Sequence, residues 1–339
     1  MSTAEAASAP ALCARLEAAL PGRVAAGVSL ARLGRWRIGG PVDLVVTPDS
    51  PAAVARAVAI LADSGVRWTV IGEGSNVLFD SAGHRGVILR IGPDLGGYRA
   101  DPSTGEVAAE AGIWVPCFVR RTLSLGLAGC VHAIGIPGML GGLVAMNGGS
   151  QRRGIGEQIV EVTAVDPAGR LQRFDRDACG FAYRASVFQQ NGAVIVAARF
   201  RYAPGDAGAL RREAVAIMAA RRRKFPNRLP NCGSVFVSDP ALYATLGPPG
   251  AAIEAVGLKG TRAGGARISP LHANFIVNEG GAGSDDVLRL IALARRRVFD
   301  ATGIAMRSEV LHLPPDGPLR PAHDAVPELV GQAGREGAA

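Results

Sequence analysis

Two glycine-rich stretches hold the residues best suited to bind a ligand. The first, Gly72-Glu73-Gly74-Ser75-Asn76, follows the apolar run Trp68-Thr69-Val70-Ile71. Lacking Cβ atoms, Gly72 and Gly74 let backbone N–H groups approach a phosphate closely, and Ser75 and Asn76 add side-chain donors. The stretch lacks the third glycine and the following helix of a Rossmann fingerprint, and the same residues also make a tight structural turn. The second stretch, Gly135-Ile136-Pro137-Gly138-Met139-Leu140-Gly141-Gly142, is followed by Met146-Asn147-Gly148-Gly149. So little side-chain volume suits a flat, extended ligand, and equally a packed turn between core segments. Other chemistries find no support. The five cysteines (Cys13, Cys117, Cys130, Cys179, Cys232) form no C-x-x-C pair, and the five histidines form no H-E-x-x-H arrangement. Reduced thiols are therefore expected, with no metal site and no disulfide framework.

The loops need elements to hold them. Val42–Pro48 has the pattern of a strand; Ser50 and Pro51 then open a helix with apolar Val54, Val58 and Leu61, closed by Gly65. Trp68–Ile71 is the next strand and leads into the first glycine loop. Strands are predicted over Val87–Ile91 and Glu106–Ala111, with a helix over Val115–Leu125 ending at Gly126. A β-rich block spans Ile159–Ala198, broken by turns such as Asp166-Pro167-Ala168-Gly169. A helix from about Ala209 to Lys224 marks a domain boundary, and another is expected over Ser284–Thr302. The aperiodic, Pro- and Gly-rich stretch after Leu313 is expected to be disordered.

A chain of 339 residues with 48% hydrophobic and 19% charged residues can bury two or three cores, which excludes disorder along its whole length. No signal peptide and no apolar span of membrane length is seen, so a cytoplasmic location without membrane contact is expected. The net charge is +8, with basic runs at Arg221–Lys224 and Arg295–Arg297. No aromatic residues interleave these runs as base-stacking platforms would, so no nucleic-acid partner is expected. A positive field also attracts anionic phosphate ligands, and Arg295–Arg297 sits near a helix end where cations offset the dipole.

Taken in order, Arg37-Ile38-Gly39-Gly40-Pro41, the Gly72–Asn76 loop, Gly135–Gly138 with Gly141-Gly142 and Asn147, Tyr183-Arg184-Ala185-Ser186, Gly233-Ser234-Val235-Phe236 and Ser308-Glu309-Val310 resemble the UDP-N-acetylenolpyruvoylglucosamine reductase family. Gly257–Gly260, Gly264-Gly265 and His272–Asn278 are also similar to it. The short connection from Phe236 to Ile253 matches its compact subtype. The resemblance covers about Leu30–Leu313. It implies an α+β fold: an FAD-binding region of two α+β subdomains, of the vanillyl-alcohol-oxidase (PCMH) type, over residues 30–204. A helix and C-terminal α+β substrate-binding domain would follow over 205–313, flanked by an N-terminal extension (1–29) and a disordered tail (314–339). It further implies non-covalent FAD, NADPH as co-substrate, UDP-N-acetylglucosamine enolpyruvate as substrate, a product on the route to peptidoglycan, and a monomer. The two glycine-rich segments (Gly72, Glu73, Gly74, Ser75, Asn76; Gly135, Ile136, Pro137, Gly138, Gly141, Gly142, Asn147) would hold the FAD pyrophosphate and isoalloxazine.

The reaction so implied adds a hydride to the β-carbon of an enol ether and pushes charge onto the α-carbon and its carboxylate. It needs fixed positive charge, a proton donor and a pocket without water. Arg184 suits the first because a guanidinium stays charged and donates twice to a carboxylate. Ser234, beside Gly233, suits the second, and Glu309 would assist at the carboxylate or in protonation. Tyr183, Lys259 and Asn274 are candidates for substrate or diphosphate contacts. Two departures stand out. Leu33-Gly34-Arg35-Trp36 replaces a threonine-rich stretch, and Val237-Ser238-Asp239-Pro240 replaces a turn bearing lysine and asparagine, which is expected to weaken contacts to diphosphate or uracil.

Overall fold

The computed structural model describes residues 9–326. The chain divides into two compact units that are each discontinuous in sequence. One joins the described residues up to Val28 with Val42–Glu73 and Arg85–Arg223; the other joins Ser29–Pro41, Gly74–His84 and the described residues from Lys224 onward. The linear division expected near residue 205 differs from this: 29–41 and 74–84 cluster with the C-terminal part, and nearly all of the helix Ala207–Lys224 with the first unit.

The first unit is built on two larger sheets, with a two-stranded pair of Leu127–Ala128 and Ala203–Pro204 besides. Strands Val24–Ser29, Pro41–Val46, His84–Arg90 and Trp68–Ile71 lie side by side in that order, with Trp68–Ile71 running parallel to Val87–Arg90. The helix Pro51–Ser64 starts where the sequence places it: Ser50 Oγ accepts from the Ala53 N–H, proline occupies the first turn, and Gly65 ends it at φ 67°. Its Ala53, Val54, Ala57, Val58 and Leu61 form one buried face, in the same core as Leu12 and Leu16 of the helix Ala9–Ala19.

The second sheet is antiparallel, in the order Leu171–Asp175, Ile159–Val165, Val194–Arg201, Glu106–Glu110, Tyr98–Asp101. Phe118 on the helix Val115–Ser124 meets Phe200 of this sheet with ring centroids 5.0 Å apart. The block Ile159–Ala198 is less β-rich than its sequence suggests. Residues 176–193 form turns and a short 3-10 helix, Val187–Gln189, because side chains such as Asp175 and Gln189 engage nearby backbone there.

His132 in this unit is 1% exposed, and neither ring nitrogen has a hydrogen-bond partner among the described residues. Burial, reinforced by Arg153, pulls its pKa down to about 4. Between that value and the ordinary 6.5 of the unfolded chain, only the unfolded state binds the proton, so stability falls as pH drops through this window. Urea denaturation should show a loss of roughly 2 kcal/mol between pH 7.5 and pH 5 from this residue, absent in His132→Leu.

The second unit has its own core, formed by Trp36, Leu78, Val235, Phe236, Ile276 and one face of the helix Ser284–Thr302, among others. Strand Val77–Phe79 pairs in parallel with Leu311–Leu313, which pairs antiparallel with Arg320–Pro321. A second small sheet joins Arg262–Ala263, Ala266–Ile268 and Ile276–Asn278. Trp36 is 1% exposed; its indole donates to the Ile276 carbonyl, and Asn278 Nδ2 donates back to the Trp36 carbonyl.

Two expectations fail in this unit. The stretch 314–326 is ordered: Arg320–Pro321 extends a sheet and Ala322 is fully buried. The expected disorder of 327–339 lies outside the described residues. Arg295 does not serve the helix dipole, since it lies two turns before Thr302; it is 9% exposed and donates through Nε to the Met306 carbonyl and through Nη1 to the His323 carbonyl. All five cysteines are free thiols. Among the described residues no helix is long and apolar enough to cross a membrane, and no metal-ligating cluster occurs.

Candidate active site

The candidate residues fall into two groups, one on each unit. On the first, Gly72 and Glu73 end the strand Trp68–Ile71. The segment Gly138–Gly141 is held along 111–115: Val115 N–H donates to the Gly138 carbonyl, Leu140 N–H to Ile113 and Gly141 N–H to Ala111. These bonds start the short helix Leu140–Ala145. Asn147 follows at φ 43°, a conformation asparagine tolerates; its Nδ2 donates to the Ala182 carbonyl and its Oδ1 accepts from the Gly156 N–H. Asn147 thereby ties the second glycine loop to the turn Ala182-Tyr183-Arg184-Ala185.

That turn is closed by paired backbone bonds between Ala182 and Ala185. Arg184 sits in it at φ 55°, a left-handed conformation usually left to glycine, and strain of this kind concentrates at functional sites. Arg184 Nη2 donates to the Gly149 carbonyl at 3.0 Å, and its guanidinium lies 5.4 Å from the centre of the exposed Tyr183 ring. Ser186 donates to the Ala145 carbonyl at 2.6 Å. Asn147, Tyr183 and Arg184 thus belong to one neighbourhood with the end of the second glycine loop at Gly149, and Gly135, Ile136, Pro137, Gly138, Gly141 and Gly142 precede them along the chain.

On the second unit, Gly74, half-buried Ser75 and Asn76 lead into Val77–Phe79. Asn76 Nδ2 donates to the Glu309 carbonyl at 2.9 Å, and its own carbonyl accepts from the Leu311 N–H. Glu309 N–H donates to the Val235 carbonyl, while Val235 N–H donates to the Asn274 carbonyl. Ser234 is therefore held between Gly233, at φ 79°, and a residue bonded on both sides. A Cβ on Gly233 would meet nothing within 4 Å, so the space beside Ser234 is open on that side.

Asn274 is 6% exposed and its amide both accepts from the Phe236 N–H and donates to the Phe236 carbonyl. The side chain proposed from sequence as a substrate contact is committed to holding the extended segment after Ser234. Lys259 pairs with Glu254 at 2.7 Å. Cys232 is buried, with burial pushing its thiol up to about 12, so it is no nucleophile at neutral pH. Asp239 serves the fold, since its carboxylate caps the helix Pro240–Thr245 by accepting from the Ala241 N–H. Sequence reasoning did not single out Ser308, which precedes Glu309, or His323, which bonds to Ser308; Ser308 stood in a matched motif, whereas His323 carried no signal.

The glycines separate into two kinds. Gly74 lies at φ 57°, and a Cβ there would stand 2.8 Å from the Leu33 carbonyl oxygen; a Cβ on Gly135 would press on Met218 at 2.6 Å, and one on Gly141 on Ala111 at 2.9 Å. Packing excludes a side chain at Gly74 and Gly141, whereas Gly135 is required by its φ of 77°, since the flexible Met218 side chain can move aside. Gly142 is different: it is exposed and a Cβ on it meets nothing within 4 Å. Open space beside a loop rich in backbone N–H groups and poor in side chains suits a flat, anionic dinucleotide such as FAD. Gly142→Ala should therefore fold with unchanged or slightly higher stability, since alanine favours a helix by up to ~1 kcal/mol. Its FAD dissociation constant, measured by flavin fluorescence, should nonetheless rise roughly tenfold or more, about 1.4 kcal/mol.

Comparison with known proteins identifies the family. The sequence model of an FAD binding domain matches residues 42–175, and that of the UDP-N-acetylenolpyruvoylglucosamine reductase C-terminal domain matches 225–313. UDP-N-acetylenolpyruvoylglucosamine reductase 1 of Corynebacterium glutamicum is 44% identical over 306 residues, covering 90% of this chain and 91% of that protein. The reductase of Heliobacterium modesticaldum is 39% identical, covering 83% and 88%. The crystal structure of the Thermus caldophilus reductase (MurB) superposes with a TM-score of 0.71 at 28% identity, covering 85% of this chain and 98% of that one. With motifs, fold and overall sequence in agreement, the chain belongs to the UDP-N-acetylenolpyruvoylglucosamine reductase family.

Proposed function

We propose that this protein is an FAD-dependent oxidoreductase that uses NADPH to reduce UDP-N-acetylglucosamine enolpyruvate to UDP-N-acetylmuramate, a step of peptidoglycan synthesis. One observation carries the reading: relatives named for this reduction align along nearly the whole chain, through both the FAD-binding region and the C-terminal domain. When bound, FAD would supply hydride-transfer chemistry between NADPH and the enol ether. Gly72–Asn76, Gly135–Gly138, Gly141, Gly142 and Asn147 would hold the cofactor through backbone N–H groups and small polar side chains. FAD would occupy the region 30–204 and the nucleotide sugar the region 205–313, in a cytoplasmic monomer.

The chain's own residues supply what the hydride does not. Arg184 lowers the energy of the substrate carboxylate as negative charge accumulates on it. Ser234 delivers a proton to the α-carbon; its alkoxide form is costly, so the proton leaves only when a strongly basic carbon faces it. Glu309 stands beside that hydroxyl's segment and assists at the carboxylate or in returning the proton. Asn274 and Asn76 orient the segments bearing Ser234 and Glu309. Tyr183 and Lys259 would contact the substrate's sugar or diphosphate.

The purified protein should be yellow with the absorption bands of oxidised flavin. It should oxidise NADPH rapidly only when the UDP-enolpyruvyl sugar is present, yielding UDP-N-acetylmuramate. Flavin-loaded protein whose NADPH oxidation ignores that substrate would overturn the assignment.

A further inference from the structure

The residues on either side of Glu309 are gripped by a segment beyond the match to the reductase C-terminal domain, which ends at residue 313. Ser308 N–H donates to His323 Nδ1 at 3.0 Å, and Ser308 Oγ lies 2.8 Å from the same nitrogen. In return, His323 N–H donates to Ser308 Oγ at 3.2 Å, and Ala322 N–H donates to the Val310 carbonyl at 3.0 Å. Ser308 Oγ also donates to the Val310 carbonyl, bridging over Glu309.

His323 is itself fixed. Arg295 reaches its carbonyl at 3.4 Å, and Asp324 lies 3.5 Å from Nε2. Because a main-chain N–H points at Nδ1, the ring proton belongs on Nε2, facing Asp324. On its other edge the same stretch is bonded to Val235, the residue after Ser234. Glu309 thus lies on a strip of backbone clamped between the Ser234 segment and the 320–325 segment.

We propose that the segment Arg320–Ala325 is a positioning element of the active site, in which His323 locks Ser308 and thereby sets the backbone that carries Glu309. The proposal rests on the reading that Glu309 belongs to the reacting site. His323 touches no reacting atom; it acts through the register and angle of residues 308–310, where a shift of about 1 Å at a reacting group can slow a reaction ~100-fold.

Stopped-flow absorbance on the FAD-loaded, full-length protein separates the two half-reactions. His323→Ala should slow flavin reoxidation by the enolpyruvyl sugar at least tenfold, leaving flavin reduction by NADPH within twofold. His323→Asn, whose side-chain oxygen takes the place of Nδ1 as acceptor, should recover reoxidation to within about threefold of the wild type. Hydrogen exchange of the Ser308 amide should rise in His323→Ala, with or without FAD, and return to protection in His323→Asn. Equal slowing of both half-reactions, unchanged exchange in His323→Ala, or no recovery in a folded His323→Asn would overturn the proposal. Glu309→Gln separates the two claims. If it reoxidises as fast as the wild type, the reading of Glu309 fails and the proposal falls with it. If it is slow while His323→Ala is not, only the positioning claim is lost.

Discussion

Ser234→Ala should leave reduction of the bound flavin by NADPH within twofold of the wild type while slowing reoxidation by the enolpyruvyl sugar by roughly 100- to 10,000-fold, the range for a lost general acid. The asymmetry follows from the site. Ser234 stands on the second unit between Gly233 and Val235, and the Val235 backbone is bonded to both Asn274 and Glu309. Removing one hydroxyl disturbs none of these bonds, so the segment keeps its shape and only proton delivery is lost. Stopped-flow absorbance of each half-reaction, run separately, decides the point. Equal loss in both would mean that Ser234 shapes the flavin environment and does not donate the proton.

The second large effect is expected at Arg184. Arg184→Ala should lower reoxidation by roughly 100- to 1000-fold, the loss seen when a preorganised donor to developing charge is removed. Arg184→Lys should recover little, because an ammonium cannot donate two parallel N–H bonds to a carboxylate. Stability should follow a different order. Arg184 occupies φ 55°, which disfavours any residue with a Cβ by about 1–2 kcal/mol relative to glycine. Arg184→Gly should therefore unfold at higher urea than Arg184→Ala while being equally inactive. If glycine and alanine variants melt together, the turn relaxes when the guanidinium is gone and the strain is not intrinsic to the backbone.

Local signals in the sequence were reliable where one residue dictates one bond. Ser50, Pro51 and Gly65 bound a helix that the structure places at Pro51–Ser64, and Trp68–Ile71 and Ser284–Thr302 occur at the expected residues. The order of motifs likewise pointed to the family that the whole-chain comparisons support. Long-range pairing was not legible. Nothing near Trp36 indicates that its indole reaches Ile276, so the discontinuous make-up of the two units could not be read from adjacent residues. Composition misled at 314–326, where proline and glycine spoil periodicity yet side-chain-to-backbone bonds around His323 hold the chain. Residue type alone also could not distinguish a ligand-binding amide from one spent on its own backbone, as at Asn274.

The parallel pairing of Val77–Phe79 with Leu311–Leu313 has a consequence for biosynthesis. A strand made early must wait for one made more than two hundred residues later, and such non-local closure is slow and leaves apolar surface uncovered meanwhile. Until Ile276–Asn278 and Leu311–Leu313 have been made, the Trp36 and Leu78 side chains lack these partners, so this core closes late in synthesis. Nascent chains stalled ahead of Ile276 should be cut by protease near Trp36, and a holdase chaperone should protect them there.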